Sequence, residues 1–148
     1  MKFKKRLLWL LPALLWLGVM FFFSGQDSHD SAALSGAFTK FLMDILPVSM
    51  SALEFEHLLR KAAHFTIFAV GGFLLMFGLG QAFGPGLKRF VIAVLGYAAV
   101  AVANELHQLT SVGRSCSHVD MLIDFTGALT GILIAALLLR LTKRRGSN

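Results

Sequence analysis

Four apolar runs, each close to the length that crosses a bilayer, leave this chain little choice of fold. A helix needs about 20 residues to span roughly 30 Å of hydrocarbon, and residues 7–23, 62–83, 90–109 and 121–141 supply 17, 22, 20 and 21. Residues 90–103 alone are short for a span. Extending that run to Leu109 carries Asn104, Glu105, His107 and Gln108 into its last turns. With 56% hydrophobic and only 15% charged residues in a chain of 148, there is more apolar material than a soluble domain of this size buries. The expected fold is an all-α membrane protein, one integral membrane domain over residues 1–148 with four transmembrane helices. The basic leader Lys2, Lys4, Lys5 and Arg6 also fits a cleaved signal, but Phe21, Phe22 and Phe23 stand where a small-residue cleavage site belongs, so an uncleaved first span is expected.

Four spans put both termini on one side. Lys2, Lys4, Lys5, Arg6, Lys88, Arg89, Arg140, Lys143, Arg144 and Arg145 then share that side, ten basic residues against Lys40, Arg60, Lys61 and Arg114 on the other. The positive-inside rule makes the first side cytoplasmic. All eight acidic residues, from Asp27 to Asp124, fall on the outer side or at the outer ends of spans. The net charge of +6 therefore reads as topology and contact with anionic lipid, and nucleic acid is excluded as a partner. Cys116 is the one cysteine and carries no redox information.

Gly84-Pro85-Gly86 predicts a tight cytoplasmic turn between the second and third spans. The first outer loop, residues 24–61, repeats Leu34, Phe38, Phe41, Leu42 and Ile45 at helical spacing until Pro47. That pattern predicts an amphipathic helix lying in the interface. Ser51 with Glu54 three residues on is a capping box that opens a helix running into the second span.

An ionisable side chain inside a span costs about 2.5–3.5 kcal/mol at the bilayer centre, so each one needs a partner or a task. Lys61 and His64 sit a turn apart on the second helix. Asn104, Glu105 and Gln108 share an arc of about 100° on the third. On the fourth, Asp120, Asp124, Gly127 and Gly131 form one stripe, and glycines four apart let another backbone approach closely. If that neighbour is the second or third helix, His64, Glu105 and Asp124 meet below the outer surface, and Arg114 in the Val112–Ser115 turn folds over them. Plainer readings stand beside this one. Lys61 also reads as an interfacial snorkelling lysine, His64 as a satisfied buried histidine, and Asp120 as the N-cap of the last helix. Cys116, His29, His57, His107 and His118 read as incidental.

Phe23-Ser24-Gly25-Gln26, Arg60-Lys61-Ala62-Ala63-His64-Phe65, Glu105-Leu106-His107-Gln108, Gly113-Arg114 and the Asp120, Asp124, Gly127, Gly131 stripe together resemble the VanZ-like family from Leu7 to Leu141. Relative to the family pattern, its acidic pair before the glutamine is Asn104-Glu105 here, its asparagine on the last helix is Asp124, and Val112 replaces a proline. The first two changes move one acid from the third helix to the fourth, which keeps the charge of the pocket if the positions touch. The resemblance implies a multi-pass protein of the bacterial plasma membrane and, through some relatives, an association with resistance to teicoplanin and related glycopeptides.

The favoured function is binding of an anionic, lipid-linked ligand or head group at the outer leaflet. Lys61 and Arg114 supply positive charge, Ser24, Gln26, Asn104 and Gln108 hydrogen bonds, and Glu105 and Asp124 orientation, with His64 and Asp120 in the same pocket. Expected partners are membrane lipids and a lipid-linked cell-envelope precursor. The rival is an intramembrane enzyme acting on a lipid-linked phosphate or glycan, with His64 and Glu105 as catalytic candidates for proton transfer. An ion- or proton-coupled carrier is a third class, and it would require a homo-oligomer to form a path. No phosphate loop, nucleophile elbow or paired metal-spaced histidines occur, so no cofactor and no metal are expected, although His64, Glu105 and Asp124 have the chemistry to ligate zinc.

Overall fold

The structure, a computed structural model, describes residues 2–113 and 115–145 and, within them, the side chains of all but residues 2–4, 28, 30, 144 and 145. The elements are α1 (Lys2–Leu7), a 3₁₀ turn (Leu8–Leu10), α2 (Leu11–Ser24), α3 (Ser28–Ile45), α4 (Ala52–Phe83), α5 (Leu87–Gln108) and α6 (His118–Arg145). Among the described residues there is no strand. Four helical stretches among these residues are long and apolar enough to cross a membrane: Lys5–Ser24, Ala52–Phe83, Leu87–Gln108 and His118–Lys143. They correspond one to one with the four expected spans.

The boundaries differ for local reasons. Ser51 and Glu54 form the expected capping box, with the Glu54 amide donating to Ser51 Oγ and the Ser51 amide to Glu54 Oε2 at 3.0 Å, so α4 starts ten residues before the apolar run. Its 32 residues extend over about 48 Å at 1.5 Å each, more than the hydrocarbon thickness. The excess carries Glu54, Glu56, Arg60 and Lys61 clear of the apolar layer. The last helix starts at His118 instead of residue 121, and Asp120 is not its N-cap. The Ser117 hydroxyl accepts the Asp120 amide at 3.2 Å, which leaves Asp120 in the first turn, where a carboxylate is favoured by the helix dipole. Between α4 and α5, Gly84 takes φ +80°, and the Arg89 guanidinium donates to the Phe83 carbonyl at 2.9 Å, pairing one of the carbonyls that a helix end leaves open.

Helices α4 and α6 run parallel in close contact. A Cβ on Gly127 would strike the Phe65 carbonyl, one on Gly131 the Ala69 carbonyl, and one on Gly72 the Ala128 carbonyl. The stripe continues inward through buried Ala128, Ile132, Ala135 and Leu139, which join Phe68, Met76 and Tyr97 in the core. Helix α2 leans on α4, with the Trp16 indole donating to the Ile67 carbonyl at 2.9 Å. Leu14, Leu15, Phe22, Leu95, Leu122 and Leu137 are all more than half exposed, an outward apolar surface that suits lipid and not water. The bundle has a basic end, with Lys88, Arg89, Arg140 and Lys143, and a polar end that carries the 25–51 segment and the 109–117 turn.

The loop helix forms as expected and is longer, Ser28–Ile45. Leu34, Phe38, Phe41 and Ile45 stay 54–62% exposed, while its Ser35 side meets α4. There Ser35 Oγ donates to Glu56 Oε1 at 2.6 Å and the Arg60 guanidinium reaches the same oxygen at 2.8 Å.

Candidate functional site

At the polar end, three helices converge on Asp124. Its Oδ1 lies 3.0 Å from His64 Nδ1 on α4, and its Oδ2 accepts from the Asn104 side-chain amide on α5 at 3.2 Å. The register follows from the small residues just inward, since the contact of Gly127 with Phe65 draws position 124 against position 64. Glu105, on the turn that also carries Gln108, accepts the Ser117 amide on Oε2 at 2.9 Å and so pins the chain where it enters α6. Glu105 and Asp124 have no solvent exposure, Asn104 and Gln108 almost none, and the His64 side chain retains 21%. One ligand-type atom each from His64, Glu105 and Asp124 lie within 4.8 Å of one another.

Two polar atoms here are buried without a hydrogen-bond partner, Glu105 Oε1 and Gln108 Nε2. Each such group costs about 1–3 kcal/mol, which is hard to explain in a purely structural cluster.

Two cavities flank the cluster. One, of about 480 Å³, is largely apolar, bounded by Met20, Phe23, Leu34, Phe38, Ile67 and Phe68, with Ser24, Gln26 and Asn104 also on its wall. The other, of about 520 Å³, is polar and is bounded by His57, Lys61, Gln108, Gly113, Ser115 and Asp120. Ser31, Arg60 and His64 line both.

The expected pocket residues are thus divided. His64, Asn104, Glu105 and Asp124 form one bonded or closely spaced cluster. Lys61, Gln108 and Asp120 border the polar cavity, while Ser24 and Gln26 border the apolar one. Arg114 lies outside the described residues. Asp124, expected to orient Lys61 and Arg114, bonds to His64 and Asn104.

Over residues 9–139 the chain matches the model of the VanZ/LLP1 family. The chain belongs to the VanZ/LLP1 family. Among curated proteins and among solved structures, nothing matches. In this VanZ/LLP1 chain Asn104 and Asp124, the two positions expected to depart from the family pattern, are in direct contact.

Sequence reasoning counted Arg60 toward topology and the family resemblance but gave it no place in the pocket, yet it lines both cavities. The available signal was its spacing, four residues before His64 and hence on the same helical face. Ser117 and Ser31 gave no signal, because their roles depend on a backbone amide and on where α3 lies.

Proposed function

We propose that this VanZ/LLP1 protein holds an anionic lipid-linked ligand at the outer leaflet of a bacterial plasma membrane, with the charged head in the polar cavity and the chain in the apolar one. The observation that carries this reading is that Ser31, Arg60 and His64 line both cavities, which places the polar and the apolar one side by side. An amphiphile needs an apolar slot and a polar chamber that are joined, and the junction needs a cation if the head is a phosphate. Arg60 and Lys61 supply that charge. Gln108 offers the head an unused donor in a buried wall, where a hydrogen bond to a charged group contributes about 1.5–3 kcal/mol. A lipid-linked cell-envelope precursor fits this description, and sequestering or presenting it would alter susceptibility to glycopeptides such as teicoplanin.

Lipids extracted from protein purified in mild detergent and identified by mass spectrometry test the reading. An anionic lipid enriched over its share of the membrane, and lost in Arg60→Ala, is expected. Bulk phospholipid in membrane proportions, unchanged in that variant, refutes it. The orientation rests on the ten-to-four distribution of basic residues and has its own check. An impermeant thiol reagent on intact cells should label the half-buried Cys116 in preference to a cysteine placed at Lys88 in a Cys116→Ser background, and the reverse pattern inverts the protein.

One observation favours a second reading, an enzyme acting on a lipid-linked phosphate or glycan. Asp124 holds His64 by Nδ1, which leaves Nε2 for proton transfer, the arrangement of an oriented general base. Product formation from the co-purified lipid, abolished in His64→Gln with lipid still bound, would select it.

A further inference from the structure

We propose that His64, Glu105 and Asp124 bind one divalent transition-metal ion of the zinc class. Spacing along the chain offers no hint of this, since the three ligands come from three helices. The fold brings an imidazole nitrogen and two carboxylate oxygens within 4.8 Å of one another. His64 Nδ1 and Asp124 Oδ1, 3.0 Å apart, are close to the separation of about 3.3 Å between two ligands on a tetrahedral ion with bonds of about 2.0–2.1 Å.

Independent support comes from Glu105 itself. Its side chain is fully buried and Oε1 has no hydrogen-bond partner, although a carboxylate in such surroundings demands one. The charges point the same way. With both carboxyls ionised, even a protonated imidazole leaves a net −1, whereas a divalent ion with neutral imidazole balances both acids where solvent is excluded. The outer contacts are those that orient ligands: the Asn104 amide on Asp124 Oδ2 and the Ser117 amide on Glu105 Oε2. A nitrogen donor beside two oxygens suits zinc, with manganese or iron next, and disfavours magnesium and calcium. Three protein ligands leave a position open, and His64 lines both cavities. If the anionic-lipid reading also holds, a head-group oxygen occupies that position.

The test uses untagged full-length protein in mild detergent, stripped with chelator and titrated with zinc alone. Calorimetry and elemental analysis should show one tightly bound ion per chain, with thermal stability rising with zinc concentration. Glu105→Gln and Asp124→Asn should each weaken binding by about 100-fold or more, beyond the effect usual for an outer contact, while His118→Gln, away from the cluster, should not. Cobalt(II) loaded into the unmodified protein gives a readout that needs no variant to fold, the visible absorption of a low-coordinate nitrogen–oxygen site. No stoichiometric zinc on the unmodified protein, or equal affinity in Glu105→Gln and Asp124→Asn, overturns the site. The titration contains no lipid, so its failure leaves the anionic-lipid reading standing, and loss of lipid from Arg60→Ala does not bear on the metal.

Discussion

Helices α4 and α6 meet in two different ways along their length. From Gly127 inward the contact is backbone against backbone, with Gly127, Gly131 and Gly72 placing carbonyls where side chains would be and Ala128, Ile132 and Ala135 filling the remaining space. One turn outward, the same two helices meet through His64 and Asp124, a polar pair in a bundle that could have continued with alanine. The inward half achieves association by close packing alone, which is what lipid surroundings require because there is no hydrophobic difference between helix and tail. The outward half gives up packing for charge, and beside it on α5 Glu105 Oε1 and Gln108 Nε2 remain unpaired. On the proposed reading, stability and function are carried by neighbouring stretches of one interface, and substitutions should separate them.

The largest effect should come from Gly131→Leu. The added side chain strikes the Ala69 carbonyl, and backbone cannot step aside as a side chain can, so the cost should exceed about 3 kcal/mol, the upper range for overpacking. Loss of folded protein from membrane extracts checks it, and survival at normal abundance would mean that the close contact is not what joins α4 to α6.

Asp124→Asn should act next, costing about 1–3 kcal/mol by weakening the grip on His64 and leaving two amides face to face. Because position 104 touches position 124, the exchange Asn104→Asp with Asp124→Asn should recover most of the loss, a coupling of about 0.5–3 kcal/mol in a double-mutant cycle. Thermal unfolding in detergent measures the cycle. Additive losses would show that the two departures from the family pattern are unrelated.

A smaller effect is expected for Lys61→Ala, which should leave unfolding unchanged within about 0.5 kcal/mol, as for an exposed surface position, yet reduce the amount of co-purified anionic lipid. Equal lipid retention would return Lys61 to the plain reading of a snorkelling residue. Smallest is Ser111→Ala. Its hydroxyl ties the 109–117 turn to the Gly25 carbonyl at 3.0 Å in an exposed place, so about 0.5–1 kcal/mol should be lost with no change in lipid content.

Much of this architecture is already present in the chain as written. Four apolar runs determine four helices because an unpaired backbone is intolerable in hydrocarbon. Ser51 with Glu54, Pro47 and Gly84-Pro85-Gly86 determine where helices start and stop by local geometry alone. The outward apolar stripe of α3 follows from a periodicity that any helix must obey. Even the candidates for the site were legible, since His64, Glu105 and Asp124 stood out as ionisable groups in spans where each needs a reason to exist. What tertiary structure decided is which of them meet. Glycines on α6 could have received α4 or α5, and only the packing, with the Phe65 and Ala69 carbonyls seated on Gly127 and Gly131, selects α4 and sets the parallel register that brings His64 to Asp124. The same holds for Arg60, whose place between the two cavities depends on α3 folding back along α4, and for Ser117, which pairs with Glu105 through a backbone amide that no side-chain pattern encodes. Helices are local and can be read from spacing, whereas contacts between helices depend on shape across the bundle, which no single stretch of sequence contains.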